Sequence, residues 1–536
     1  MRLNQFFFLL IFKLLCFSEP SFSNFELDVD DDAKTEALSD GLLIIRFMFG
    51  LDETSLITDV VGLNATRDSS DEIIDYLSAN SEKLDIDQNG QIDALTDGIL
   101  ILRDLFGITG EMLVIGALAE NATRINSQEI SDYLKTIKDS DGDGVFDSND
   151  AFPLDPLRSS IDEVSTTPPN IEWITSISGS EEESHAHFIL ASREGGYLQV
   201  GETGFIPNSA KILVVKISEN GQLEWKKEIG VRGHNLGNSL IEIDDGYLIV
   251  GAINEDSAII KIDKHTGSII YVKTYDQGGS DAFENVVETT EGLIAVGYRY
   301  AEDRQNTFFT EGQGLITFLD RDGNQTGSKD IASLIAHPYR IKKFNDEILI
   351  SGLSEDALDY TLIKTDILGN LIWHKTFGGE SHDHNFAFDV NSDGSFFMSG
   401  HTLSNTENWD TYTVKTDNDG VIEWTKTMGN PRGFNARFIH DEAWGIKATI
   451  DGGALIIAGT GDEYESYSEC NDFGCSDRWR AYLIRLDASG DLIWEATYGD
   501  EEADWAGEDI CFGNDGSLIL AIDNGQFGFV KLSAVN

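Results

Sequence analysis

Short apolar runs bounded by glycine recur along the C-terminal two thirds of the chain. They begin with GGYLQVG at 195–201 and continue as DGYLIVG, EGLIAVG, DEILISG, DGSFFMSG, DGGALIIAG and DGSLILAI. Runs of this length, rich in β-branched and aromatic residues and flanked by turn residues, predict strands. A second series alternates with the first: ILVVKIS at 212–218, then AIIKID, LITFLD, TLIKTD, YTVKTD, YLIRLD and GFVKLS. After most of these come a glycine turn and a strand carrying tryptophan, as in ENGQLEWKKEIG, ILGNLIWHKTFGG, NDGVIEWTKTMGN and ASGDLIWEATYGD. Tyr271 replaces the tryptophan once, and RDGNQTGSKDIA is a degenerate copy. The period averages about 52 residues, within the range of a four-stranded propeller blade.

Each series has seven members, but no tryptophan strand follows the last, GFVKLS. It stands early instead, in NIEWITSISG with Trp173. A ring whose N-terminal strand completes its last blade leaves no unpaired edge. The expectation is therefore a mainly β protein: a seven-bladed β-propeller over 171–536, closed by residues 171–179, behind a small α-helical calcium-loop domain. The blades resemble those of secreted bacterial repeat proteins with a DGGYIVAG…VKLDSNGNLLWTKTYGG pattern. That resemblance implies the fold and is nearly silent on function.

The N-terminal part has a different period. LDVDDDAKTEALSDGLLIIRFMFG from Leu27 aligns without gaps on LDIDQNGQIDALTDGILILRDLFG from Leu84, and the match runs on through NATR…EIIDYL and NATR…EISDYL, a repeat of 57 residues. Each unit reads as an acidic loop, an apolar helical run, an amphipathic stretch and a closing helix. Side-chain oxygens at alternate positions around a sharp turn repel one another unless a cation sits among them. The pattern is that of an EF-hand-type loop, with ligands at positions 1, 3 and 5, a carbonyl at 7 and a closing carboxylate. In the second unit these are Asp85, Asp87, Asn89, the Gln91 carbonyl and Asp97, one residue later than usual. The first unit offers Asp28, Asp30, Asp32 and Asp40, with Ala33 where the turn calls for glycine. A third loop, DSDGDGVFDSNDAFPLDP, fills the pattern without adjustment: Asp139, Asp141, Asp143, the Val145 carbonyl, Asp147 and Asp150. The paired units resemble dockerin-type and EF-hand-like calcium repeats, and the third loop resembles a thrombospondin type 3 repeat. The implied cofactor is calcium.

Charge narrows the partners. With 94 acidic against 38 basic residues the net charge is −56, a surface that repels phosphate backbones and anionic lipid. No nucleic acid is expected. The first residues, MRLNQFFFLLIFKLLCFSEPSFSNF, pair Arg2 with an apolar run from Phe6 to Phe17 that is too short to span a bilayer. Ser21 and Ser23 then stand at signal-peptidase spacing. Residues 1–23 read as a signal peptide, with no later membrane span, which places the protein outside the cell, at its surface or in a periplasm. The domains follow: calcium-loop repeats at 24–138, a calcium loop and linker at 139–170 ending in STTPPN, and the propeller. Cys470 and Cys475 flank a polar loop and suit a local disulfide in an oxidising compartment; Cys511 reads as a buried small hydrophobe.

Polar residues recur where the innermost strands begin: His185, His234, Asp281, His337, His382 or Asp383, His440 or Asp441, and Asp504. A ring of ligand contacts at the channel mouth is one reading; a repeated residue capping each strand by hydrogen bonding is the plainer one. SHAH at 184–187 and SHDH at 381–384 put paired histidines on one strand face, a spacing able to hold zinc. IDKHTGSIIYVKTY resembles the tryptophan-docking blades of quinoproteins, but those have eight blades and a vicinal disulfide. The function expected is a secreted calcium-binding, non-catalytic module whose propeller meets a glycan or protein. The alternative is an enzyme, quinoprotein-like or polysaccharide-acting, with its site at the channel mouth.

Overall fold

The glycine turns and tryptophan strands turn out to be two halves of one contact. In the computed structural model, a glycine in the last turn of one blade lies against the aromatic side chain of the outer strand of the blade before it. A Cβ added to Gly221 would lie 3.0 Å from Trp173, at Gly267 2.6 Å from Trp225, at Gly420 3.1 Å from Trp373 and at Gly490 2.7 Å from Trp424. Tyr271 takes the same place against Gly323. Each of these glycines has positive φ, so the residue type answers both to the backbone and to the approaching ring.

The structure describes residues 25–32, 34–62, 65–108, 110–140, 142, 144–150, 165–181, 183–205, 208–301, 312–464 and 466–535. The chain separates into two compact units, Met1–Ser160 and Ile161–Asn536. Among the described residues no helix is long and apolar enough to cross a membrane.

The second unit holds seven four-stranded antiparallel sheets, each in simple up-and-down order except the last. That sheet is built from Ala506–Phe512, Leu518–Asp523 and Phe527–Leu532, with Ile171–Ile177 as its outer strand. Trp173 pairs with Lys531 and Ile177 with Phe527. The propeller is thus seven-bladed and closed by its N-terminal strand. Innermost strands lie at Ser184–Ala191, Asn235–Ile243, Ser280–Thr289, Ile335–Phe344, Asp383–Val390, Ile439–Ala448 and Ala506–Phe512, each beside the next around the ring. Second and third strands are buried almost throughout, which explains their continuous apolar character. The lysine of the VKxD runs is buried at its stem and paired at its tip: Lys216 with Glu224 at 2.6 Å, Lys261 with Asp245 at 2.7 Å, and Lys531 with Asp515 at 2.6 Å. Cys470 and Cys475 form a disulfide across a two-residue hairpin in the sixth blade; Cys511 is free and buried.

In the first unit the duplication is visible as geometry. Helices Leu42–Met48 and Ser70–Ala79 recur as Asp97–Leu105 and Ser127–Lys135 around one apolar core. The repeated NATR stretch explains itself: Arg124 donates to the carbonyls of Asp85 (3.1 Å) and Ile86 (2.7 Å) while its guanidinium lies 3.6 Å over the Tyr133 ring. Arg67 clamps Asp28 and Val29 in the same way, 3.8 Å over Tyr76. Each acidic loop is therefore held from behind by an arginine–tyrosine stack from its own repeat.

Candidate functional site

The acidic loops come first because the sequence names them most directly. Asp28, Asp30 and Asp32 each bring one oxygen within 4.8 Å of the others, and so do Asp85, Asp87 and Asp97. Asp30 is fully buried, and its Oδ1 has no hydrogen-bond partner. Burial pushes the Asp30 and Asp97 carboxyls above their ordinary range and Asp40 up to about 7. Buried, crowded carboxylates with an oxygen left over fit an oxygen-loving divalent cation. The remaining contacts are structural. Asp40 accepts from the amides of Val29 (2.6 Å) and Glu36 (2.8 Å), and Asp97 from those of Ile86 (2.7 Å) and Asp93 (2.9 Å). Asn89 accepts from the Gln91 amide at 2.6 Å, which tightens the turn before Gln91. In the third loop Asp139 accepts from the amides of Gly142 (2.8 Å) and Gly144 (2.7 Å). Asp147 is turned to Ser140, accepting from its amide at 2.8 Å, and Asp150 is buried, its amide donating to the Phe146 carbonyl at 3.0 Å. Asp141 and Asp143 lie outside the described residues, as do the signal-like segment, Ala33 and the FPLDP tail.

In the propeller, the residues expected at the start of the innermost strands do not share one position. Strand pairing spreads them over three. His185 and His337 pair with the residue just after a glycine of the second strand (Glu202 and Leu353). Asp281, Asp383 and Asp441 stand one residue earlier than those histidines in their strands, and His234, His382, His440 and Asp504 one earlier again. The middle position is the capping one. Asp281 accepts from the amides of Gln277 (3.0 Å) and Ser257 (2.6 Å), Asp383 from Gly379 (2.7 Å) and Asp441 from Asn430 (2.7 Å). Asp256, Asp276 and Asp281 also bring oxygens together, with Asp281, like Asp97, accepting from amides as well.

The histidines do something else: each of four meets a carboxylate. His185 Nδ1 lies 2.5 Å from Asp523, His187 Nε2 2.6 Å from Glu202, His337 Nε2 3.1 Å from Glu284 and His440 Nδ1 3.2 Å from Glu442. The Asp523 hydrogen bond pushes His185 up to about 9. Burial works against the charge on His187, yet Glu202 holds its imidazole above the ordinary value. SHAH therefore forms two imidazole–carboxylate pairs. SHDH does not follow it. His384 packs 5.5 Å from His401 and 4.9 Å from Trp409; burial drives His384 down to about 4 and holds His401 well below the ordinary histidine value.

A feature the strand-start reading missed lies two to four residues further on. Every innermost strand carries a β-bulge at the same place, and the residues skipped are His187, Asn238, Glu284, Tyr339, Phe386, Trp444 and Glu508. A bulge turns one extra side chain out of the ladder. Of these side chains, the aromatic ones meet across blades, Tyr339 lying 4.7 Å from Phe386 and Phe386 4.3 Å from Trp444, while Asn238 donates to the backbone carbonyl of Phe283 on the next blade at 3.0 Å. They form a ring around the axis, with an aromatic arc over three blades flanked at both ends by a carboxylate. Burial pushes Glu508 up to about 8, with Asp523 adding to it. One step deeper the charges are matched, Lys342 lying 3.0 Å from Asp389. The sequence carries no clear signal for it, because the innermost strands vary between blades at most of their positions.

No family model and no curated protein matches the chain. Solved structures match at low identity. BamB from Moraxella catarrhalis is 12% identical, covering 68% of this chain and 98% of that one at a TM-score of 0.34. Sqt1 from Chaetomium thermophilum is 10% identical over 68% and 99%, at 0.41. A quinohemoprotein alcohol dehydrogenase from Comamonas testosteroni is 11% identical over 66% of both chains, at 0.37. Likeness at this level leaves function to the site itself.

Proposed function

We propose that this is a secreted, calcium-binding, non-catalytic protein whose propeller engages an extracellular glycan or protein at its axial mouth. The observation that carries the reading is the bulge ring. Every innermost strand turns one extra side chain out of its ladder at the same place, and on three adjacent blades that residue is aromatic: Tyr339, Phe386 and Trp444. Three adjacent aromatics there supply the apolar contact area that binding sites use. Calcium is supported by the two three-carboxylate groups and the partnerless Asp30 oxygen. In this reading Asp28, Asp30, Asp32 and Asp85, Asp87, Asp97 hold the ion, and the dockerin-like repeats form a stiffened spacer. The test is a glycan array and an extracellular-protein array probed with the full chain and with Trp444→Ala. Hits that vanish in the variant support the reading; hits indifferent to it place binding elsewhere. The imidazole–carboxylate pairs beside Glu508 also suit proton transfer, so turnover of an arrayed glycan, abolished in Glu508→Gln, would replace binding with catalysis.

A further inference from the structure

Resting on that reading of the ring, its composition points to one ligand chemistry. The seven bulge residues include two carboxylates, three aromatic rings, a histidine and an asparagine, and no lysine or arginine. Around the ring the order is Glu284, Tyr339, Phe386, Trp444, Glu508, His187 and Asn238, so the acids bracket the arc. Glu284 is buried, 7% exposed, with His337 as neighbour at 3.1 Å; Glu508 has no hydrogen-bond partner among the described residues. Behind the arc His401 is 2% exposed and its Nδ1 has no partner, with its ring 5.1 Å from Phe386 and 5.9 Å from Trp444. It therefore backs the aromatics with a neutral imidazole rather than a competing charge. Arg340 begins the next layer, its guanidinium 5.6 Å over Phe188, where Lys342 and Lys447 face Asp389 and Asp509.

We infer that the ring binds an organic ammonium group, held by cation–π attraction against the half-buried Tyr339 and Trp444, which flank the buried Phe386, and drawn by Glu284 and Glu508 at the ends of the arc. A neutral sugar could stack on the same rings, but it would gain nothing from the two carboxylates that bracket them. The strongly negative chain adds a long-range pull on cations.

The experiment is saturation-transfer NMR on the full chain with choline and with dimethylbutanol, its neutral carbon isostere. Choline should bind, and the isostere should bind about ten-fold more weakly or not at all. Glu508→Gln and Glu284→Gln, which keep shape, should each weaken choline by about ten-fold. Equal binding of the two probes would make the ring a plain apolar pocket and overturn the inference. So would indifference to both glutamine variants, or failure of choline to bind. If array ligands still depend on Trp444 while choline fails, the ring binds something other than an ammonium and only this inference falls. Should one variant misfold, the other and the probe comparison on the unaltered chain decide.

Discussion

The indole N–H of Trp424 donates to the carbonyl of Ala488 at 2.9 Å, joining the outer strand of the fifth blade to the last turn of the sixth. Trp225 does the same to Lys264 at 3.3 Å, and Trp494 reaches Ser165 at 3.1 Å, next to the closing strand. The repeated tryptophan is thus a bolt between blades, with the glycine beneath it as the socket.

A methyl group in that socket meets two penalties. Gly490 has φ +79°, and its added Cβ would lie 2.7 Å from the Trp424 ring. Left-handed backbone costs a non-glycine residue about 1–2 kcal/mol, and overpacking adds about 1–3 kcal/mol. Gly525 has a similar φ of +75° but nothing within 4 Å of its Cβ, so it isolates the backbone term. Gly490→Ala should lower the urea midpoint clearly more than Gly525→Ala. Equal shifts would show that the indole yields and that the socket is not tightly filled.

The His185–Asp523 pair gives the propeller a pH dependence of definite sign. Its folded-state pKa of about 9 lies above the ordinary histidine value. A raised pKa contributes stability fully below the unfolded value, and that contribution is lost as pH rises through the folded one. The melting temperature should therefore fall between about pH 6.5 and pH 9. Asp523→Asn should flatten that slope by lowering the melting temperature near pH 6.5, where the pair contributes fully, and leave the alkaline side little changed. A slope unchanged in Asp523→Asn would remove the pair as its source.

The fold was legible because its determinants are local and repeated: glycine turns, apolar second strands, tryptophan docks, and a displaced first strand that named the closure. The acidic loops were legible because ligand spacing is set by the chain itself. Asp40 and Asp97 show the limit, since their hydrogen bonds to amides near the start of each loop depend on how the loop curls. The axial ring was missed for a similar reason. His187, Phe386 and Trp444 stand at a bulge, and a bulge shifts the alternation that sequence reading relies on. Asp523, Glu202 and Glu284, the partners of three histidines, come from other strands or blades, so only folding reveals them; Glu442 is two residues along His440's own strand.

The disulfide should matter little to the propeller. Cys470 and Cys475 are five residues apart and close a small hairpin; by loop-closure entropy so short a loop contributes about 2 kcal/mol, against about 4.7 for a hundred-residue loop. Nearby, Asn471 donates to Arg432 at 2.8 Å and Glu469 to Ser476 at 2.8 Å, contacts that survive reduction. The double variant Cys470→Ser, Cys475→Ser should melt within a few degrees of the parent and keep its choline or array binding. A collapse of the melting transition would show that this hairpin anchors the sixth blade.

Calcium removal should loosen the two units unequally. In the first, Asp28, Asp30 and Asp32 and then Asp85, Asp87 and Asp97 are crowded within 4.8 Å, and carboxylates at that range repel strongly when no cation lies among them. In the second, seven closed sheets carry the core. With a chelator, hydrogen exchange should rise across Leu42–Met48, Ser70–Ala79, Asp97–Leu105 and Ser127–Lys135 while the propeller strands stay protected. The two duplicated loops should also differ. Gly90 sits at φ +84°, and its counterpart in the first loop is Ala33; alanine at such a φ costs about 1 kcal/mol, near a factor of five in affinity. Asp87→Ala should thus abolish a tighter calcium step than Asp30→Ala does, with the third loop, which has both its glycine and its full acid set in sequence, tighter than either. Protection lost equally in propeller and helices would overturn the first expectation, and a tighter step at Asp30 than at Asp87 would overturn the second.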